Sequence, residues 1–145
     1  MIQGTQEVSL DAKGRMAVPT KFRAFFAAGG VLTAHPDGCL FLYPPLEWDR
    51  VRAQYVELPN ADPQARWWQR VMIGHAEQVE LDTAGRILIP QIHRSFAGID
   101  SNVRLLGQIN KFEIWDAERY NAGFESQRPM MMTGAPANGM ERLKV

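Results

Sequence analysis

The chain has 145 residues, 46% of them hydrophobic and 22% charged, enough to bury a core and too apolar for global disorder. Sixteen Lys plus Arg balance sixteen Asp plus Glu, which argues against a uniformly basic nucleic-acid binder but leaves room for a local basic face. The single cysteine, Cys39, excludes an intramolecular disulfide framework and a cysteine-based zinc site of ordinary spacing.

Residues 1–7 carry neither the cationic start nor the apolar stretch of a signal peptide. No apolar run approaches the ~20 residues of a membrane span, so a reducing cytosol is the expected compartment. Val8-Ser9-Leu10 alternates in the manner of a half-buried strand. Asp11-Ala12-Lys13-Gly14-Arg15 supplies turn chemistry: Asp accepts from backbone N–H groups further on, and Gly tolerates positive φ. Met16-Ala17-Val18 resumes a strand to complete a tight hairpin, and Pro19 opens a helix over residues 20–28 with Phe22, Phe25 and Phe26 on one side. Gly29-Gly30 stops that helix. Strands follow at 31–33 and 40–43, with Cys39 a small buried residue. Pro44-Pro45 opens a helix to about residue 57, whose apolar stripe is Trp48, Val51, Tyr55 and Leu58. Asp62-Pro63 caps another to about residue 74, carrying Trp67, Trp68, Val71 and Met72. His75 reads as a structural residue at its end. The tryptophans and phenylalanines are assigned to core or subunit interfaces rather than to base stacking.

The remainder repeats the beginning. At an offset of 71, VSLDAKGRMAVPTKFRAFF (8–26) and VELDTAGRILIPQIHRSFA (79–97) share eight of nineteen residues, where chance gives about one. Val79-Glu80-Leu81, Asp82-Thr83-Ala84-Gly85-Arg86, Ile87-Leu88-Ile89 and Pro90 repeat the strand, turn, strand and helix start. A weaker echo aligns Leu40-Phe41-Leu42-Tyr43 with Lys111-Phe112-Glu113-Ile114. Strands are expected at 103–106 and 111–115, and Asp116 caps a helix to about residue 124. From Gln127, Pro129, Met130-Met131-Met132, Gly134, Pro136 and Gly139 show no periodicity, which suggests a mobile terminus or a crystal-contact arm. Two copies are too few for a solenoid and suggest a pseudo-symmetric pair closing on each other.

The D-x-x-G-R turn followed by apolar residues, Pro and a later Arg resembles the looped-hinge AbrB-type DNA-binding domain. Two such units about 70 residues apart, with Cys39-Leu40-Phe41-Leu42-Tyr43-Pro44, Ile73-Gly74-His75-Ala76 and Gly107-Gln108-x-Asn110-Lys111-Phe112-Glu113-x-Trp115 between and after them, resemble the MraZ family of bacterial transcriptional regulators. The resemblance implies an α+β fold: a double-psi, swapped-hairpin AbrB-like β-barrel built by two hairpin-helix repeats, with flanking helices. It divides the chain into repeats 5–52 and 78–122, a helical connector 53–77 and a flexible tail 123–145. It further implies a ring of about eight to twelve subunits. That ring is expected to bind short direct DNA repeats upstream of the division and cell-wall gene cluster, in the cytoplasm and on the nucleoid, through the turn Asp11 to Arg15.

Charge distribution points to the same turn. Lys13, Arg15, Lys21 and Arg23 lie between residues 12 and 23 with no carboxylate among them, whereas residues 83–94 keep only Arg86 and Arg94. The candidate DNA-binding set is therefore Lys13, Arg15, Lys21 and Arg23, with Arg15 on a guanine edge or phosphate and Lys13 on phosphate. Arg23 aligns with Arg94 and can share its structural role. Asp11, Gly14, Asp82, Gly85 and Arg86 are assigned to holding the turns, and Arg86 and Arg94 are expected to pair with carboxylates inside the fold. No catalytic motif, metal set or cofactor loop appears: His35, His75 and His93 lie in unlike contexts, and His75-Ala76-Glu77 lacks the Pro-Cys-x-x-Cys of a zinc deaminase. The competing reading is a ring scaffold or protein-interaction module on the same fold that does not bind DNA.

Overall fold

The computed structural model describes residues 1–135 and 137–144; Pro136, which the sequence reading put in the aperiodic tail, and Val145 lie outside the described residues. The strands are β1 (Ile2–Ser9), β2 (Arg15–Ala17), β3 (Gly30–His35), β4 (Cys39–Tyr43), β5 (Glu77–Val79), β6 (Arg86–Leu88), β7 (Asn102–Ile109) and β8 (Phe112–Asp116). A 3-10 helix spans Thr20–Phe26, and the α-helices are α1 (Pro45–Val56), α2 (Pro63–Met72), α3 (Gln91–Ala97) and α4 (Ala117–Met131). Six strands form one sheet in the order β1-β7-β8-β4-β3-β5, and β2 and β6 form a separate pair; the fold is α+β and every pairing is antiparallel. Strand pairing leaves β1 and β5 as the two edges of the large sheet.

The expected tight hairpins do not form. Each turn closes, with the Asp11 N–H donating to Arg15 O at 3.0 Å and that of Asp82 to Arg86 O at 2.8 Å. The flanking strands then part: β1 pairs with β7 and β2 with β6, while β5 pairs with β3. Burial explains the exchange. A two-stranded hairpin has little apolar surface to bury by itself. Parted, the strands let Met16, Val18, Ile87 and Ile89 close over Leu32, Leu40, Leu105 and Ile114, and all eight are at most 2% exposed. Phe22 and Phe26 from the 3-10 helix seal the same core against Phe112, their ring centroids 5.3 and 6.0 Å from its own.

Register shows where the repeat slips. Val8 pairs with Val103 and, in the other half, Val79 pairs with Gly30, so the first strands are offset by 71 residues and the third by 73. Two extra residues separate helix from strand in the second copy and its next hairpin is one residue shorter, so the fourth strands are offset by 72 and Leu40 is equivalent to Phe112 rather than to Lys111.

A second apolar cluster fills the opposite face of β3 and β4. Val31, Cys39, Phe41 and Tyr43 pack there against Trp48 of α1 and Met72 of α2, with Val51 and Tyr55 at the margin. Strand β4 is thus buried on both faces, which is why it reads as an unbroken apolar run; burial also raises the Cys39 thiol pKa above the usual thiol range. Asp62 caps α2 through the Gln64 N–H, and Asp116 caps α4 through that of Arg119. Two expectations change. Of the two assignments made for the tryptophans, core or subunit interface, Trp67 loses the first: α2 turns Ala65, Gln69 and Met72 inward, leaving Trp67 63% exposed. Helix α4 continues past residue 124 to Met131 with Pro129 in its last turn, although every described residue from Asn121 onward is exposed.

Candidate nucleic-acid interface

The two D-x-x-G-R turns fold alike because the same atoms organise them. Asp11 Oδ1 accepts from the backbone N–H groups of Lys13 and Arg15, both at 2.9 Å, and its Oδ2 accepts from Arg15 Nε at 2.7 Å. Asp82 repeats the arrangement with Ala84 N and Arg86 N at 2.9 Å and Arg86 Nε at 3.0 Å. The Arg15 N–H bond is the main reason the Asp11 pKa falls to about 2, with the Arg15 side chain and the Lys13 N–H adding to it against partial desolvation. Asp82 is lowered likewise, first by the Arg86 N–H.

The glycines are fixed by φ and by the opposite repeat. Gly14 (φ +84°) and Gly85 (φ +77°) lie in the left-handed region, which glycine enters without penalty. A Cβ on Gly14 would stand 2.9 Å from the guanidinium of Arg94, and one on Gly85 would overlap that of Arg23. Each arginine is held from behind by a backbone carbonyl: Arg23 Nε donates to Val18 O at 2.9 Å and Arg94 Nε to Ile89 O at 3.0 Å. The turns also carry the backbone across, with Val18 N–H donating to Gly85 O and Ile89 N–H to Gly14 O. Arg86 completes the brace by reaching Asp11 Oδ2 at 3.3 Å.

Both turns therefore form one platform, and five cations (Lys13, Arg15, Arg23, Arg86 and Arg94) meet two carboxylates, a local net charge of +3 in a neutral chain. Of the predicted DNA-binding residues, Lys13 is exposed and Arg15 is half-buried, with only its Nε bonded among the described residues. Arg23 is a half-buried brace under the opposite turn. Lys21 is exposed on the 3-10 helix, its Nζ 5.0 Å from the Phe22 ring centroid, and no contact ties it to the turns. Arg94 differs from expectation, because its Nε is held by a carbonyl and its guanidinium packs on Gly14, with no carboxylate partner among the described residues. Sequence reasoning overlooked Leu88, which lies opposite Arg15 in the β2–β6 pair and is 51% exposed. Strand alternation around buried Ile87 is the signal that would have shown it.

An arginine with free terminal amino groups beside an exposed leucine and a lysine can donate to base edges, contact a thymine methyl and neutralise phosphate. Among the described residues no group of three or more His, Cys, Asp or Glu could hold a metal ion.

The sequence matches, twice in succession, the family described as "MraZ protein, putative antitoxin-like", over residues 1–71 and 72–142. It is 44% identical over 140 residues to proteins named "Transcriptional regulator MraZ" from Burkholderia cenocepacia strain HI2424, Burkholderia orbicola strain MC0-3 and Burkholderia mallei strain SAVP1, with 94% of each chain covered in every case.

Proposed function

The chain belongs to the MraZ family, and from that membership we propose that it regulates transcription by binding DNA through the braced turns, with Lys13 and Arg15 as the contacting pair. The observation that carries the reading is the cross-braced platform itself. Asp11, Arg23, Arg86 and Arg94 are consumed in holding the turns, while the Lys13 ammonium and the terminal nitrogens of Arg15 are left without a partner among the described residues. A rigid loop that presents unpaired cations loses little entropy on meeting phosphate.

The finer features belong to the same proposal. The exchanged β2–β6 pair supports reading the fold as two interlocked AbrB-like halves of the swapped-hairpin barrel type. The assembly is a ring in which several subunits offer one turn each to successive short DNA repeats upstream of the division and cell-wall genes. Linkage within the ring lets individually weak contacts add up through effective concentration. Lys21 serves phosphate from the rim; Arg23 acts by positioning Gly85.

Titrating tandem-repeat DNA across a salt series tests the proposal. If two subunits each neutralise about three phosphates, log K falls against log salt with a slope of about −5. Lys13→Ala should weaken binding evenly across sequences and flatten that slope, whereas Arg15→Ala should cost about 1–3 kcal/mol and relax base preference. Binding that survives both changes but is abolished by Arg86→Ala would move the interface to the second turn. No binding by the unaltered protein would favour the scaffold reading.

A further inference from the structure

Met16 and Ile87 form the middle rung of the β2–β6 ribbon and turn into the core. Strand alternation therefore points Arg15 and Leu88 on one flanking rung, and Ala17 and Arg86 on the other, away from it. Exchanging the repeats maps Arg15 onto Arg86 and Ala17 onto Leu88, so the ribbon has an approximate twofold axis through its middle rung. Three departures from that symmetry collect at one end. Arg86 is bonded to both Asp82 and Asp11, while Arg15 is bonded to Asp11 alone. The first turn carries Lys13 where the second has Ala84. Leu88, 51% exposed, stands beside Arg15, whereas half-buried Ala17 stands beside Arg86.

We propose that Leu88 is a specificity-determining residue of the second repeat, contacting the 5-methyl group of a thymine in the base pair next to the one that Arg15 reads. A two-stranded ribbon fits the major groove, and the thymine methyl is the apolar feature of the pattern displayed there. Directly opposed residues on antiparallel strands have Cβ atoms about 4.5–5.5 Å apart, and successive bases are about 3.4 Å apart along the duplex. Two side chains on one rung therefore reach neighbouring base pairs. An arginine there takes guanine O6 and N7; a leucine neither donates nor accepts, so its favourable contact in the groove is the methyl. The ribbon is held in place, because Val18 and Ile89 bond its ends to the opposite turns. A lone exposed leucine is ordinary on a protein surface. Leu88 is set apart by its rung partner, an arginine whose terminal nitrogens are unbonded among the described residues. Ala17 is too short to make the same contact at the other end, which gives the face a direction along the duplex.

The inference rests on reading the platform as the DNA contact and assigns it a base. In its test the unaltered protein selects a duplex from a random-sequence pool. Each thymine of that duplex is then replaced in turn by deoxyuridine, which removes the methyl and keeps every hydrogen-bonding group. Replacing the thymine beside the base pair at which Arg15→Ala relaxes selection should weaken binding about fourfold, the worth of one buried methyl. Leu88→Ala should bind the thymine and deoxyuridine duplexes equally, and a pool selected with it should lose preference at that base pair alone. Leu88 belongs to neither apolar cluster, so the change leaves the core untouched. A Leu88→Ala protein that still prefers thymine over deoxyuridine there gives the side chain a structural role and overturns the inference. So does a selected site with no thymine beside that base pair, or an unaltered protein indifferent to every replacement. Each of these leaves the Lys13 and Arg15 reading in place. An unaltered protein that binds no duplex overturns both.

Discussion

Asp11 carries more of the platform than any other single side chain, since its two oxygens receive Lys13 N–H, Arg15 N–H, Arg15 Nε and Arg86. Its folded pKa of about 2 lies below the ordinary 3.8. The sign follows: the carboxylate's contribution to stability is complete above pH ~4 and is lost as pH falls toward 2. Asp82, lowered in the same direction, loses its own contribution as pH falls below the ordinary range. Stability followed by circular dichroism should therefore fall more steeply between pH 4 and 2 in the unaltered protein than in one where neither group titrates, so Asp11→Asn/Asp82→Asn should be destabilised at pH 7 yet flatter between pH 4 and 2. Equal slopes would show that the two turns do not set acid stability. The glycines offer a second test at this scale. Gly85→Ala must place a Cβ at positive φ and displace Arg23, so urea unfolding should show a loss of at least about 1 kcal/mol.

Much at the scale of the element was legible in the sequence, for physical reasons that also mark where legibility ends. Capping by Asp62 and Asp116, the Pro45 and Pro63 helix starts and the apolar strand β4 are local consequences of residue type, and they stand where expected. The partner of each strand is not a local property. Val8-Ser9-Leu10 reads the same whether it pairs with the strand after the turn or with β7, and total burial of Met16, Val18, Ile87 and Ile89 decides the matter. Adjacent Trp67 and Trp68 could not both face the sheet on a helix with 100° between neighbours, and the phase set by Ala65, Gln69 and Met72 left Trp67 outside. In the site, Arg23, Arg86 and Arg94 are braces and Arg15 keeps its terminal nitrogens unbonded among the described residues, whereas Lys13 and Lys21, whose counterparts are Ala84 and Ile92, are exposed. Helix α4 went unread beyond residue 124 because its second half has no apolar periodicity and nothing to pack on. Deleting residues 127 onward should therefore leave the thermal unfolding of the remainder within about 0.5 kcal/mol of the full chain by calorimetry. A larger loss would mean that the end of α4 is stabilised by contacts outside a single chain.

At the scale of the whole molecule the neutral chain presents a cationic platform, and strand exchange makes the two repeats one cooperative body. Four of the six strand pairings, β1–β7, β2–β6, β3–β5 and β4–β8, join one repeat to the other; only β3–β4 and β7–β8 stay within a repeat. The covalent link between repeats runs through α1, the exposed residues 59–62 and α2, and 59–62 take no part in either apolar cluster. A protease site placed there should cut without releasing a fragment, so native mass spectrometry should find both pieces in one particle with the platform intact and DNA affinity within twofold. Refolding separates the cases further. Before cleavage the repeats find each other by closing an internal loop, and the refolding rate is independent of concentration. After cleavage the same pairings join separate chains, so the rate should rise in proportion to concentration. Concentration-independent refolding of the cut protein would mean that each repeat folds alone and docks later, and the exchanged β2–β6 pair would then be a late contact rather than part of the common core.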